Sequence, residues 1–215
     1  MTTSRREILS RLQRGTPPFP GAEPPVAYLP MVQLPELEAD ALQDLFVFEA
    51  QKAACLVHQA ASREEAVDVV LRLIGEETLI SCWEPEQIPL PGLEESLRGA
   101  GITCVGQDAS VRLGVTGVDA ALAATGSLVL RSGNGRYRAA SLLPQVHVAV
   151  VDCRQILPDL EHWWARQRER GLDRVRRSSN IVVISGPSRT ADIAMELVMG
   201  MHGPRELHIV LISAC

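Results

Sequence analysis

The residues best suited to do chemistry lie near the C-terminus, in the run Ser185-Gly186-Pro187-Ser188-Arg189-Thr190. The apolar run 181–184 before it predicts a strand, residues 191–199 after it predict a helix, and a turn over 200–204 leads to a further strand over 207–212. Such a βαβ unit would bring free N–H groups, hydroxyls, the Arg189 guanidinium and the positive end of a helix to one place, which suits a phosphate or a carboxylate. The same residues also make an ordinary capped turn, with Ser188 or Thr190 as the cap and Arg189 in solvent. Their spacing is neither Gly-x-x-x-x-Gly-Lys-Ser/Thr nor a dinucleotide fingerprint, so no motif argues for ATP or NAD.

Thr125-Gly126-Ser127 has the same two readings, because small hydroxyl residues beside a glycine let a ligand approach the backbone and also simply make turns. The candidate anion-binding set is therefore Thr125, Gly126, Ser127, Ser185, Gly186, Ser188, Arg189, Thr190 and Asp192. Asp192 completes the wall of that set or is an early-helix carboxylate favoured by the dipole. Asp119 reads first as a helix cap, His147 as a core histidine or an acid–base group, and His202 as a partner of a helix C-terminus or a ligand. No residue is identified as catalytic. The five histidines have no H-x-H or H-x-x-x-H spacing, and Cys55, Cys82, Cys104, Cys153 and Cys215 are scattered without a C-x-x-C pair. No metal site and no cofactor is expected, and the cysteines read as reduced core residues. Arg166, Arg168, Arg170, Arg174, Arg176 and Arg177 crowd one helix end and the loop after it, where they could dock an acidic partner or simply favour the helix dipole, diluted by Glu169 and Asp173.

These groups need a scaffold, and the rest of the chain supplies an alternation of strands and helices. Ser4-Arg5-Arg6-Glu7 reads as a capping box for a short amphipathic helix. Seven prolines among residues 16–35 then leave extended chain, a linker or a strap. Residues 36–60 read as helix with Leu37, Ala41, Leu45 and Phe48 on one face. A second capping box, Ser62-Arg63-Glu64-Glu65, opens a helix carrying Val67, Val70, Leu71 and Ile74 and stopped by Gly75. Strands follow over 78–83 and 102–105 with a helix around 93–98 between them. Residues 119–124 are helix-prone, 128–130 and 146–151 are strands, and Pro158 sits at the first position of a helix that ends at Gly171.

The expected architecture is α/β, three-layered, with a mainly parallel sheet covered by helices on both faces and ligands at the carboxyl ends of the strands. The expected division is a helical arm with its Pro-rich strap over residues 1–61 and an α/β domain over 62–215. A chain of 215 residues with 46% hydrophobic and 22% charged residues can build such a core. Its net charge of −5 and 4% aromatic content argue against a nucleic-acid partner. The absence of an apolar run near the ~20 residues of a spanning helix, and of an apolar leader, makes the cytoplasm the expected address.

Four ordered segments together carry a family pattern. They are Gly117-Val118-Asp119-Ala120-Ala121-Leu122-Ala123-Ala124-Thr125-Gly126-Ser127-Leu128-Val129-Leu130, then Leu143-Pro144-Gln145-Val146-His147, then Ser185-Gly186-Pro187-Ser188-Arg189-Thr190-Ala191-Asp192-Ile193, and Gly200-Met201-His202-Gly203-Pro204-Arg205-Glu206-Leu207. From about residue 62 to the end, the chain resembles the LUD domain family of lactate-utilisation proteins, specifically its stand-alone members without ferredoxin-like cysteines. The resemblance implies the fold shared by ribose-5-phosphate isomerase, glucosamine-phosphate deaminase and CoA-transferase-type proteins, whose strand-end loops bind anions. It implies a component of a multiprotein system oxidising L-lactate to pyruvate, a non-redox subunit whose iron–sulfur partners are other chains. It carries over no catalytic residue, and a shared fold does not transfer chemistry. The competing reading is a stand-alone isomerase, acyl transferase or ligase-like enzyme acting on a phosphorylated or carboxylated metabolite. A small-molecule-binding regulator ranks last, since no helix-turn-helix supports it.

Overall fold

The computed structural model describes residues 2–14, 34–106, 108, 110–191 and 197–213. Residues 1–31 and 32–215 form two compact units. The first contains α1 (Thr2–Arg14), an exposed helix with an Arg11–Glu7 ion pair of 2.8 Å. Ser4 lies inside this helix rather than capping it, and most of the proline-rich stretch lies outside the described residues.

The second unit is built on a wholly parallel six-stranded sheet. Its strands are β1 (Leu56–Ala60), β2 (Leu79–Cys82), β3 (Thr103–Val105), β4 (Leu113–Thr116), β7 (Val146–Asp152) and β12 (Glu206–Ile212), in the spatial order β1-β12-β7-β4-β2-β3. Of the four inner strands, β12, β7 and β4 are largely apolar runs because they are buried on both faces. The register of β12 on β7 runs from Glu206 opposite Val146 to Ile212 opposite Asp152. α3 (Arg63–Ile74) packs on β1 and β12. Ser62 caps it as expected, its Oγ accepting the Glu65 N–H at 3.2 Å, while Glu65 Oε2 accepts the N–H of Ala61, one residue before the cap, at 2.7 Å rather than that of Ser62. α4 (Leu93–Gly99) links β2 to β3, and the short α5 (Ala139–Leu142) packs on β4, β2 and β7.

A second sheet, in the order β8-β5-β6-β9, contains β5 (Ala120–Leu122), β6 (Ser127–Ser132), β8 (Ile156–Leu157) and β9 (Asn180–Ile184). Here β6 runs antiparallel to both β5 and β9, while β8 runs parallel to β5. α6 (Leu160–Glu169) brings Trp163 into a small core with Ala120, Leu122 and Val129, and α7 (Asp173–Arg177) leads into β9. Pro158 precedes the Asp159 cap of α6 instead of opening the helix.

Three segments depart from the sequence reading. The helix expected over 36–60 is α2 (Ala39–Lys52), which buries Phe46 and Ala50, leaves Phe48 exposed, and gives way at Ala54 to β1. An edge strand carrying His58 and Gln59 is only half buried, so its pattern does not separate it from a helix tail, yet pairing with β12 satisfies its backbone. The α/β body thus extends N-terminal of residue 62. Residues 120–122 are strand despite their alanines, because tertiary pairing with β6 and full burial outweigh a propensity worth tenths of a kcal/mol per residue.

The third departure is the expected βαβ unit. β9 joins the second sheet, and the chain that follows is an antiparallel pair, β10 (Arg189–Ala191) with β11 (Leu197–Met199), in which Arg189 faces Met199. A short apolar run fits either period, and cross-strand pairing decides it here. Cys55 and Cys82 are buried free thiols and Cys104 an exposed one, whereas Cys153 is disulfide-bonded, against the expectation of five reduced cysteines. Among the described residues no helix is long and apolar enough to cross a membrane.

Candidate functional site

The structure brings most of the sequence-derived anion set together. Thr125 Oγ1 lies 2.8 Å from Ser127 Oγ, which lies 2.7 Å from Ser185 Oγ, so three hydroxyls form a chain between the start of β6 and the end of β9. Gly126 and Gly186, both at positive φ, lie against the C-terminal end of α2: a Cβ on Gly126 would run into the backbone of Ala50 and Glu49, and one on Gly186 into the carbonyl of Ala53. Arg189 Nη2 donates to that Ala53 carbonyl at 2.9 Å, the position of a cation capping a helix C-terminus. The Ser188 N–H donates to the Pro204 carbonyl at 2.8 Å, and Thr190 lies in β10. Asp192 lies outside the described residues.

Ala53 lies three residues before the start of β1, and Pro204 two residues before the start of β12. The 185–190 loop therefore lies at the amino edge of the parallel sheet, and no helix N-terminus follows it at β10. His202 is exposed on the same edge, beside a depression of about 490 Å³ bordered by Arg138 and Gln145.

The carboxyl edge, where parallel sheets present ligand-binding loops, carries a different group. Asp119 follows β4 and is neither a helix cap nor solvent-facing. Its Oδ1 accepts from the Arg131 guanidinium of β6 and lies 3.5 Å from Nη1 of Arg136, while its Oδ2 accepts the Trp163 indole N–H at 2.9 Å. Burial alone would raise the pKa of this carboxyl, but Arg131, Trp163 and Arg136 together hold it below the usual carboxylate range. Arg136 Nε donates to Gln87 Oε1 at 2.8 Å, and its guanidinium carbon lies 5.3 Å from the centre of the Trp83 ring. Two guanidiniums thus share one carboxylate. Arg131 is 6% exposed, and its Nε is buried without a hydrogen-bond partner among the described residues. Burial, helped by repulsion from Arg131 and Arg174, pulls the pKa of Arg136 down against the opposing pull of Asp119. A depression of about 320 Å³ opens beside these groups, lined by Gln87, Arg131, Asn134, Arg136, Arg174 and Arg177.

Asp152, at the end of β7, accepts from Arg154 Nε at 2.7 Å and Nη2 at 2.6 Å, and Arg63 lies 3.7 Å away. His147 is buried inside the sheet with Nε2 2.8 Å from Thr116 Oγ1, the arrangement of a satisfied core histidine. Among the described residues no group of three or more His, Cys, Asp or Glu side chains could hold a metal ion. Sequence reasoning found Asp119 and the arginines of residues 166–177 but gave them no common place. Arg131 and Arg136 were missed, since each stands alone in its own segment. An arginine within an otherwise apolar strand was the available signal for Arg131.

Residues 106–212 match the model of the LUD domain. The chain is 33% identical over 158 residues to "Lactate utilization protein C" of Halalkalibacterium halodurans, covering 69% of this chain and 68% of that one. It is 28% identical over 193 residues to the protein of the same name from Shouchella clausii, covering 83% of each. A crystal structure of a DUF162-family protein from Deinococcus radiodurans shares the fold, with a TM-score of 0.60 and 18% identity, over 83% of this chain and all of that one.

Proposed function

This chain belongs to the LUD-domain family alongside lactate utilization protein C, and from that premise we propose that it is a subunit of a multi-chain system oxidising L-lactate to pyruvate. In this reading it holds a small anionic metabolite at the carboxyl edge of its parallel sheet, and iron–sulfur partner chains carry the electrons. The observation that carries the site is the pairing of buried Arg131 and half-buried Arg136 on the single carboxylate of Asp119, an excess of positive charge facing an open depression. A buried cation without a full counter-charge costs several kcal/mol unless something anionic completes it. The hydroxyl chain Thr125–Ser127–Ser185 and Arg189 at the amino edge are a second place for an anion, but their polar groups already serve one another and the end of α2.

A stand-alone enzyme would need an acid or base free to move a proton. Asp119 is poorly placed for that, because both its oxygens accept hydrogen bonds from buried donors that favour the ionised form. The test has two arms. Calorimetric titration of the purified chain with lactate, pyruvate, sugar phosphates, nucleotides and CoA esters, repeated with Arg136→Gln, should give saturable binding that the substitution abolishes. Affinity capture from lactate-grown cells should recover iron–sulfur chains with it. Turnover of any of these compounds by the isolated chain would replace the subunit reading with the enzyme reading.

A further inference from the structure

The 320 Å³ depression has a neighbour. A second hollow of about 190 Å³ is lined by Asp119, Trp163 and five arginines, Arg136, Arg154, Arg166, Arg170 and Arg174. Arg136 and Arg174 border both hollows, so the two form adjoining compartments of one basin. With Arg131 and Arg177 the basin is lined by seven guanidiniums and one carboxylate, Asp119, in a chain whose net charge is −5.

Known partners account for little of this charge. Asp119 is taken by Arg131 and Arg136, and Arg154 is taken by Asp152. Among the described residues no salt bridge engages Arg166, Arg170, Arg174 or Arg177. Arg166 and Arg170 lie one turn apart at the end of α6, and Arg174 and Arg177 lie on α7, so α6 and α7 turn a cationic side toward the carboxyl edge. The glutamate and aspartate that dilute this stretch in sequence, Glu169 and Asp173, do not line either hollow. A solvated helix end needs no concave wall, no shared floor and no buried Arg131 with an unpaired Nε.

We propose that this basin binds a diphosphate group at the boundary of the two hollows, where Arg136 and Arg174 line both. The proposal rests on the reading of the carboxyl edge as the ligand-binding edge and goes beyond it in naming the ligand. A monocarboxylate such as lactate brings one negative charge and one fork of oxygens, enough for a single guanidinium. Two linked phosphoryl groups bring several charges and a set of tetrahedral oxygens, which planar guanidinium forks grip bidentately. The shared chemistry is the phosphoanhydride, whether free pyrophosphate or the diphosphate of a nucleotide.

The test is isothermal titration of the full chain with inorganic pyrophosphate, orthophosphate, a nucleoside diphosphate and lactate, at low and at moderate salt. Pyrophosphate should bind at least about ten-fold tighter than orthophosphate, with affinity falling as salt rises. Arg174→Gln should weaken pyrophosphate about ten-fold or more with an unchanged unfolding midpoint, while Arg98→Gln, remote on α4, should leave it unaltered. Equal affinity for pyrophosphate and the nucleotide supports the free diphosphate as ligand, and tighter nucleotide binding supports a nucleotide. Pyrophosphate no tighter than orthophosphate, or insensitive to Arg174→Gln, overturns the proposal. Lactate binding that Arg136→Gln abolishes, with no pyrophosphate binding, would overturn the diphosphate assignment and leave the carboxyl-edge site standing.

Discussion

Acidification from about pH 7.5 to about pH 5.5 should remove about 1.4 kcal/mol of folding stability through His147 alone. The residue lies on β7, 1% exposed, hydrogen-bonded to Thr116 of β4, and burial pushes its pKa from 6.5 down to about 3. In the unfolded chain the imidazole takes up a proton below about pH 6.5, while the folded protein does not until about pH 3. The unfolded state therefore binds more protons through this window, so the stabilisation is complete above the unfolded pKa and drains away as pH falls. The loss is about 1.4 kcal/mol for each pH unit below 6.5, against a total of about 5–15 kcal/mol for a typical domain. Urea unfolding at a series of pH values reads it directly, and with a slope of about 2 kcal/mol per molar the midpoint should fall by roughly 0.7 M. The pKa of His58 is also lowered, by burial first and then by His208 and Arg72, and it acts in the same direction. His147→Gln separates the two, since glutamine keeps a polar group toward Thr116 without a titrating proton. The variant should lose one proton's worth of pH slope. An unchanged slope, or a His147 ring signal that titrates between pH 5 and pH 8 in an NMR series, would refute the reasoning.

Three further outcomes follow from the geometry. Asp119→Asn leaves the buried Arg131 without a counter-charge, with Arg136 half-buried beside it, and should cost about 3 kcal/mol in chemical denaturation while tightening anion binding; an unchanged stability would show that the ion cluster is not buried in solution. Gly126→Ala sets a Cβ into the α2 backbone at a positive φ and should cost about 3 kcal/mol, whereas Gly171→Ala, with open space around it, should cost about 1 kcal/mol; equal effects in thermal melts would show that α2 does not close on this loop. Arg189→Ala removes the bond to Ala53 and should cost about 1 kcal/mol with no loss of anion binding, and a parallel loss of binding would move the ligand to the amino edge.

What the sequence revealed depended on whether a feature was local. The α3 cap was legible because its partners are three residues apart, and β7 and β12 because a strand buried on both faces is a plain apolar run. The strand at 120–122 and the β10–β11 pair were not, because their sequences fit either period and distant chain decides between them. The candidate site divides along the same line. Ser185 to Thr190 is contiguous and easily read as an anion loop, yet its glycine and arginine answer to the end of α2, a segment some 130 residues earlier in the chain. The carboxyl-edge basin has no contiguous motif at all. Asp119 arrives after β4, Arg131 on β6, Arg136 in the turn that follows β6, Arg154 just after β7, and the remaining arginines on and after α6, so their convergence exists only once two sheets are formed and packed. A residue pattern of that kind is invisible to spacing rules but not to charge accounting. An arginine near the end of a buried strand must find an anion in the fold, and Arg131, which among the described residues pairs with one carboxylate and shares it with a second arginine, has found half of one.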